Sequence, residues 1–201
     1  MGRPKLSIPV SAALKLGGMA LEQAARSRLS RIYVVTRQRD KPDWLPDRLL
    51  AGDGKCRLVL ADEAAKGLSY SLRAGAEAVK RCGAKAAVVM LADQPLVDRV
   101  MVDRLIGCWE SDPGIDYAGY HDGGALLPPV LLARPLLDAL GGLTGDKGAK
   151  ELLGRVGMTG RLLTPDHPAQ LADIDTEADL EALLGSTFAA EQTNLRPDRT
   201  I

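Results

Sequence analysis

The apolar run AAVVML at Ala86–Leu91, closed by Ala92-Asp93-Gln94-Pro95, constrains this chain more than any other stretch. Six apolar residues without polar alternation, two of them β-branched, predict a strand buried on both faces of a parallel sheet. Pro95 has no N–H to give a ladder, so the strand ends before it. Asp93 then stands just past the carboxyl end of a central strand, the edge at which open α/β sheets bind ligands. An unpaired buried carboxylate is too costly to persist there. Asp93 must face a cation, a helix N-terminus or solvent. Two roles are open to it: cap of the following helix, or metal ligand at a nucleotide site.

The totals narrow the function classes. A chain of 201 residues suits one domain burying roughly 70% of its unfolded surface. Its 26 basic and 26 acidic side chains cancel, so no broad basic field attracts nucleic acid. Aromatic residues are only 3%, too few for base-stacking platforms. Cys56, Cys82 and Cys108 are scattered, with no CxxC and no clustered histidines, which argues against a disulfide framework and a zinc site. No secretory signal opens the chain, and no apolar run approaches ~18 residues. The expectation is a reduced, cytoplasmic protein with neither membrane nor nucleic acid as partner.

Along the chain, Met1–Pro9 reads as loop, either a basic terminus or a phosphate cradle built from backbone N–H groups and a lysine. Helical spacing covers Leu14–Leu29, and RIYVVT at Arg31–Thr36 is a strand. A short helix is expected over Trp44–Leu50 and a short strand over Arg57–Ala61. In GLSYSLRAG, Gly67–Gly75, Ser69 or Ser71 can cap a helix over Leu72–Cys82, or leave free N–H groups for a ligand. Beyond the central strand come a helix at Val97–Trp109, a weak strand at Asp116–Tyr120 and an apolar segment at Val130–Ala133. A Pro135-started helix follows, then a helix begun by GDKGAKELL (Gly145–Leu153). Arg161–Leu163 and Ala172–Thr176 are possible strands. Thr176 with Asp179 forms a capping-box-like start to a last helix through Leu184. The domain is expected to span residues 1–185, and residues 186–201 to be a polar, disordered tail. Strands alternating with helices predict a three-layer α/β fold with a mostly parallel sheet.

Five stretches together resemble the molybdenum cofactor cytidylyltransferase family, the MobA-like nucleotidyltransferases. They are GRPKL (Gly2–Leu6), GLSYSLRAG, LADQP (Leu91–Pro95), GDKGAKELL and DIDTEADL (Asp173–Leu180), in the family's order and covering Met1 to about Gly185. The resemblance implies a Rossmann-like nucleotidyltransferase fold. It implies transfer of a nucleotidyl group from CTP or GTP to molybdopterin or molybdenum cofactor, with Mg²⁺ as cofactor and pyrophosphate released. Lys5 matches the lysine that holds the triphosphate, with Gly2 and Arg3 in the same nucleotide-binding stretch. Asp93 matches the aspartate that holds Mg²⁺. Asp173 and Asp175 match the pair near the acceptor and metal. Gly67, Ser69 and Ser71 fall where base and ribose are approached. The residue types suit the reaction: attack on an α-phosphorus needs positioning and charge neutralisation more than a strong base.

The family's opening β-strand and its Leu-Ala-Ala-Gly loop have no counterpart here, so the first strand, the centre of the sheet, is expected to be missing. Glu177-Ala178 replace the family's Pro-Glu. Leu127-Pro128-Pro129 replace its Gly-His-Pro, so the role of that histidine is not carried over. The leading expectation is a CTP-preferring enzyme. A nucleotidyltransferase for another phosphorylated small molecule is the second. An inactive maturation or binding partner of a molybdenum hydroxylase is the third.

Overall fold

The computed structural model describes residues 4–37, 41–51, 54–145, 148, 150–153 and 157–194. The elements alternate as α1 (Leu16–Arg26), β1 (Ile32–Thr36), α2 (Asp47–Ala51), β2 (Cys56–Leu60), α3 (Leu68–Arg81), β3 (Ala86–Val89), α4 (Arg99–Ser111), β4 (Tyr117–His121), β5 (Leu126–Ala133), α5 (Arg134–Ala139), α6 (Lys150–Leu153), β6 (Gly160–Leu163) and α7 (Glu177–Asn194). Among the described residues no helix is long and apolar enough to cross a membrane.

The described strands form two sheets. β1 and β2 pair in parallel, in register from Ile32↔Cys56 to Thr36↔Leu60. The second sheet runs β3-β5-β4-β6. In it β5 is antiparallel to both neighbours while β4 and β6 are parallel, so β3, β4 and β6 share one direction and β5 alone is reversed. Pro128 and Pro129 cannot donate to a ladder, and the β4–β5 register steps over them, from Gly119↔Val130 to Tyr120↔Leu127. That is why β5 starts at Leu126, ahead of the apolar segment Val130–Ala133 read from sequence.

The two sheets part at the centre, where the resemblance expects the family's opening strand. β3 has one strand neighbour, β5, and β1 has one, β2, among the described residues. Between them lies a cleft of about 430 Å³, lined by Ile32–Val35, by Ala86–Ala92, and by Leu72, Gly75 and Val79 of α3. The expectation that AAVVML is buried on both faces is corrected accordingly. Every residue of β3 is only half-buried, because one edge opens on this cleft.

Four apolar clusters hold the rest. Leu132, Leu136, Leu137 and Leu140 pack on one side of the four-stranded sheet, and Met101, Leu105, Tyr120 and Leu131 on another. Leu21, Val34, Leu45 and Cys56 pack α1 on the β1–β2 pair. Ile8 and Leu16 pack with Ile174, Leu180 and Leu183, joining the start of the chain to α7.

Two further expectations change. Ala172–Thr176 forms no strand: Ala172 N turns back to Ala169 O at 3.1 Å, and the segment follows an irregular path. α7 runs through Asn194, past the Leu184 end expected for the last helix. Its start follows the sequence: Asp179 N donates to Thr176 Oγ1 at 3.1 Å, and Thr176 N donates to Asp179 Oδ2 at 2.7 Å.

Candidate active site

Lys5 opens a short 3-10 turn, Lys5–Ser7, tied by Ser7 N to Pro4 O at 3.0 Å. Ser7 Oγ and Lys15 Nζ both hydrogen-bond the Asp43 carboxylate, which fixes the turn from outside. Ile8 then plugs into the cluster with Ile174. This packing brings Lys5 beside the DIDT segment across the full length of the chain.

Lys5 Nζ lies 2.7 Å from Asp93 Oδ2 and 2.7 Å from Asp175 Oδ1. Partial burial works against the ammonium. The hydrogen bonds and charges of Asp175 and Asp93 outweigh it and raise the Lys5 pKa above its usual value. Asp173 is the third carboxylate of the group. Burial, then the Asp93 charge, push its pKa above the ordinary aspartate value, and the Asp175 charge adds to the effect. The loop after β3 is joined to this segment by Ile174 N donating to Asp93 O at 3.0 Å. Lys5, Asp93, Asp173 and Asp175 therefore converge, from three stretches read separately in the sequence.

The capping role open to Asp93 belongs instead to Asp98. Its Oδ1 accepts from Met101 N at 2.9 Å in the first turn of α4, and its Oδ2 accepts from Gln170 Nε2 at 3.2 Å. Asp93 is free of that duty and partly exposed.

The serine stretch is arranged differently from expectation. α3 begins at Leu68, so neither serine caps it. The N-cap is Gly67, whose φ of 133° lies where side-chain-bearing residues rarely go. Ser69 is fully buried, and both its N (3.1 Å) and its Oγ (2.7 Å) donate to Gly145 O. Its hydroxyl holds the Gly145 turn to α3. Ser71 lines the central cleft. Gly2 and Arg3 lie outside the described residues. His121, the last residue of β4, accepts from Gly123 N at 3.0 Å, and His167 N donates to Gln170 Oε1 at 3.1 Å at the start of the 3-10 helix Pro168–Leu171.

Sequence reasoning passed over Gln94, which is 2% exposed and donates from Nε2 to Leu171 O at 3.1 Å. A neutral amide inside a recognised motif carries no signal until its burial is seen.

Among the described residues no group of three or more His, Cys, Asp or Glu is disposed to hold a metal by itself. The arrangement is an ammonium set among carboxylates at the carboxyl end of a sheet strand, within an α/β fold that alternates strands and helices. The solved structures it resembles give the class: a Rossmann-like nucleotidyltransferase fold. The family model of the MobA-like NTP transferase domain matches residues 1–160, and the chain belongs to that family. The purine catabolism protein PucB of Bacillus subtilis (strain 168) is 30% identical over 186 residues, which is 90% of this chain and 88% of that protein. The crystal structure of the Mycobacterium tuberculosis rv0371c homolog from Mycobacterium sp. strain JC1 superposes with a TM-score of 0.67 at 25% identity, covering 94% of this chain and 91% of that one. A nucleotidyl transferase from Methanothermobacter thermautotroptrophicus (Mth528) shares the fold at 17% identity, with a TM-score of 0.69 over 92% of this chain and 86% of that one.

Proposed function

We propose that this chain transfers CMP, in preference to GMP, from the nucleoside triphosphate to molybdopterin or molybdenum cofactor with release of pyrophosphate. The observation that carries the reading is Lys5, held 2.7 Å from Asp93 in a cluster that also contains Asp173. An oxygen of the acceptor's phosphate attacks the α-phosphorus, the bond from that phosphorus to the pyrophosphate oxygen breaks, and pyrophosphate leaves. The attacking group is already an anion, so no histidine base is needed.

The residues fit one divalent cation. Asp93 and Asp173 supply two hard oxygen donors, and burial, then the Asp93 charge, raises the Asp173 pKa; Mg²⁺ takes one or two carboxylates and completes its shell with water and phosphate oxygens. Bound there, Mg²⁺ would neutralise charge on the triphosphate. Lys5 binds the leaving phosphates and offsets their growing charge. Gly67 and Ser71 approach base and ribose, and Asp175, 69% exposed, faces the acceptor side. The GLSYSL and DIDT wording supports CTP over GTP. The PucB name places that relative in purine catabolism; a molybdenum hydroxylase or its maturation factor is the partner proposed for this chain.

The test is pyrophosphate release by the purified chain with CTP or GTP, with and without Mg²⁺, and with molybdenum cofactor as acceptor. Release that needs the acceptor and Mg²⁺ and is faster with CTP is the expected result. Acceptor-independent release, or none, overturns the reading.

A further inference from the structure

Gln94 sits next to Asp93 and is almost wholly buried. A buried amide ordinarily pairs at both ends, since an orphaned carbonyl oxygen is costly. Gln94 is paired at one end only. Its Nε2 donates to Leu171 O at 3.1 Å, two residues before Asp173. Its Oε1 is buried with no partner among the described residues. Ile174 N closes the loop by donating to Asp93 O at 3.0 Å. These bonds join Asp93–Gln94 to Leu171–Ile174, and only Leu171, the last residue of a 3-10 helix, lies in regular structure. No regular ladder sets the spacing of Asp93 and Asp173, so these bonds do.

We propose that Gln94 is a positioning residue for the candidate cation site. Its bond to Leu171 O, with the bond from Ile174 N to Asp93 O, brackets Asp173 and holds it beside Asp93 against the repulsion of the two charges. A neutral donor suits the task. A lysine or arginine there would bring a charge that competes with a cation, and an apolar residue would release the segment that carries Asp173. Hydrogen bonds outside the ligand shell orient the ligands in this way at metal sites generally. The orphaned Oε1 is a stability cost retained for that positioning. The inference rests on Asp93 and Asp173 being the cation's ligands, as proposed above.

The test is direct binding of Mn²⁺, followed by electron paramagnetic resonance of the free ion, on the full chain without nucleotide. Thermal unfolding in chelator is measured beside it. Gln94→Met is close in volume and removes both the donors and the orphaned acceptor. It is expected to weaken Mn²⁺ binding by about 10–100-fold while leaving the unfolding midpoint unchanged or raised. Gln94→Asn keeps the amide on a shorter stem and is expected to lose affinity as well. If Gln94→Met does not fold, the Asn variant decides. Wild-type Mn²⁺ affinity in either folded variant overturns the positioning role. So does an affinity loss matched by a lowered midpoint in both, which marks Gln94 as merely structural. A wild-type chain that binds no Mn²⁺ overturns the cation site itself, and this proposal with it.

Discussion

The loop that follows β3 and the free edge of β3 are neighbours in the chain and opposite in construction. In the loop, Asp93 and Gln94 are tied by hydrogen bonds and an ion pair to segments at both ends of the sequence, Lys5 on one side and Leu171–Asp175 on the other. Along the edge, Ala86–Val89 present apolar, half-buried residues to a cleft of about 430 Å³, with β1 across it. The contrast shows that the polar cluster does not depend on an unbroken sheet. It is assembled by the Ile8–Ile174 packing and by a few long-range hydrogen bonds.

Substitutions at the two regions are expected to separate activity from stability. The largest effect falls on the loop. Asp93→Ala is expected to lower nucleotidyl transfer by ~10²-fold or more, the scale of losing one preorganised electrostatic group. The thermal midpoint should move little, because the lost carboxylate is partly exposed. An unchanged rate at saturating Mg²⁺ would remove Asp93 from the site.

The next contrast compares core with cleft. Leu132, fully buried on β5, should lose about 2–5 kcal/mol of unfolding free energy on change to Ala. Leu72, half-buried on the cleft wall, should lose less than half as much under the same substitution in urea unfolding. Equal losses would mean that the cleft is filled in solution.

A pH series sharpens the loop side. The folded-state pKa of Asp173 is raised by burial and by the Asp93 charge. Its ionisation therefore disfavours the fold without metal, and stability should decline as pH rises from the ordinary aspartate value through the Asp173 pKa. Cation binding needs the ionised form, so Mn²⁺ affinity should fall on acidification at a higher pH than an ordinary aspartate would set. Affinity that holds constant down to pH 4 would contradict the assigned ligand.

The smallest effects distinguish the two serines. Ser69→Ala removes a buried hydrogen bond to Gly145 O and should cost about 1 kcal/mol. Ser71→Ala should leave stability alone and weaken CTP binding a few-fold by titration calorimetry. The reverse pattern would exchange their roles.

Much of this site was legible in the sequence because its parts carry charge. Lys5, Asp93, Asp173 and Asp175 each stand in a short, recognisable stretch, and a run such as AAVVML leaves little choice but a strand. Features decided by distant partners were less legible. Ser69 has the composition of a cap, yet a bond to Gly145, 76 residues away, takes its hydroxyl. Ala172–Thr176 has strand-like alternation, yet Ile174 N donates to Asp93 O and the segment keeps an irregular path. Pro128-Pro129 hid the start of β5, since nothing local shows that a ladder can step over both. Gln94 is uncharged, and only its burial gives it meaning.

The two ion pairs of Lys5 have a consequence for what the site admits. One ammonium stands among three aspartates, so with those carboxylates ionised the group carries two surplus negative charges. A bare triphosphate approaching it meets like charge, and the cation that should greet it is already engaged by Asp93 and Asp175. On the proposed function, a triphosphate that arrives with a divalent ion would bring the missing positive charge with it and free Lys5 to turn towards phosphate. Charge balance would then make the ion a condition of entry, and a nucleotide without its ion would be turned away at the threshold.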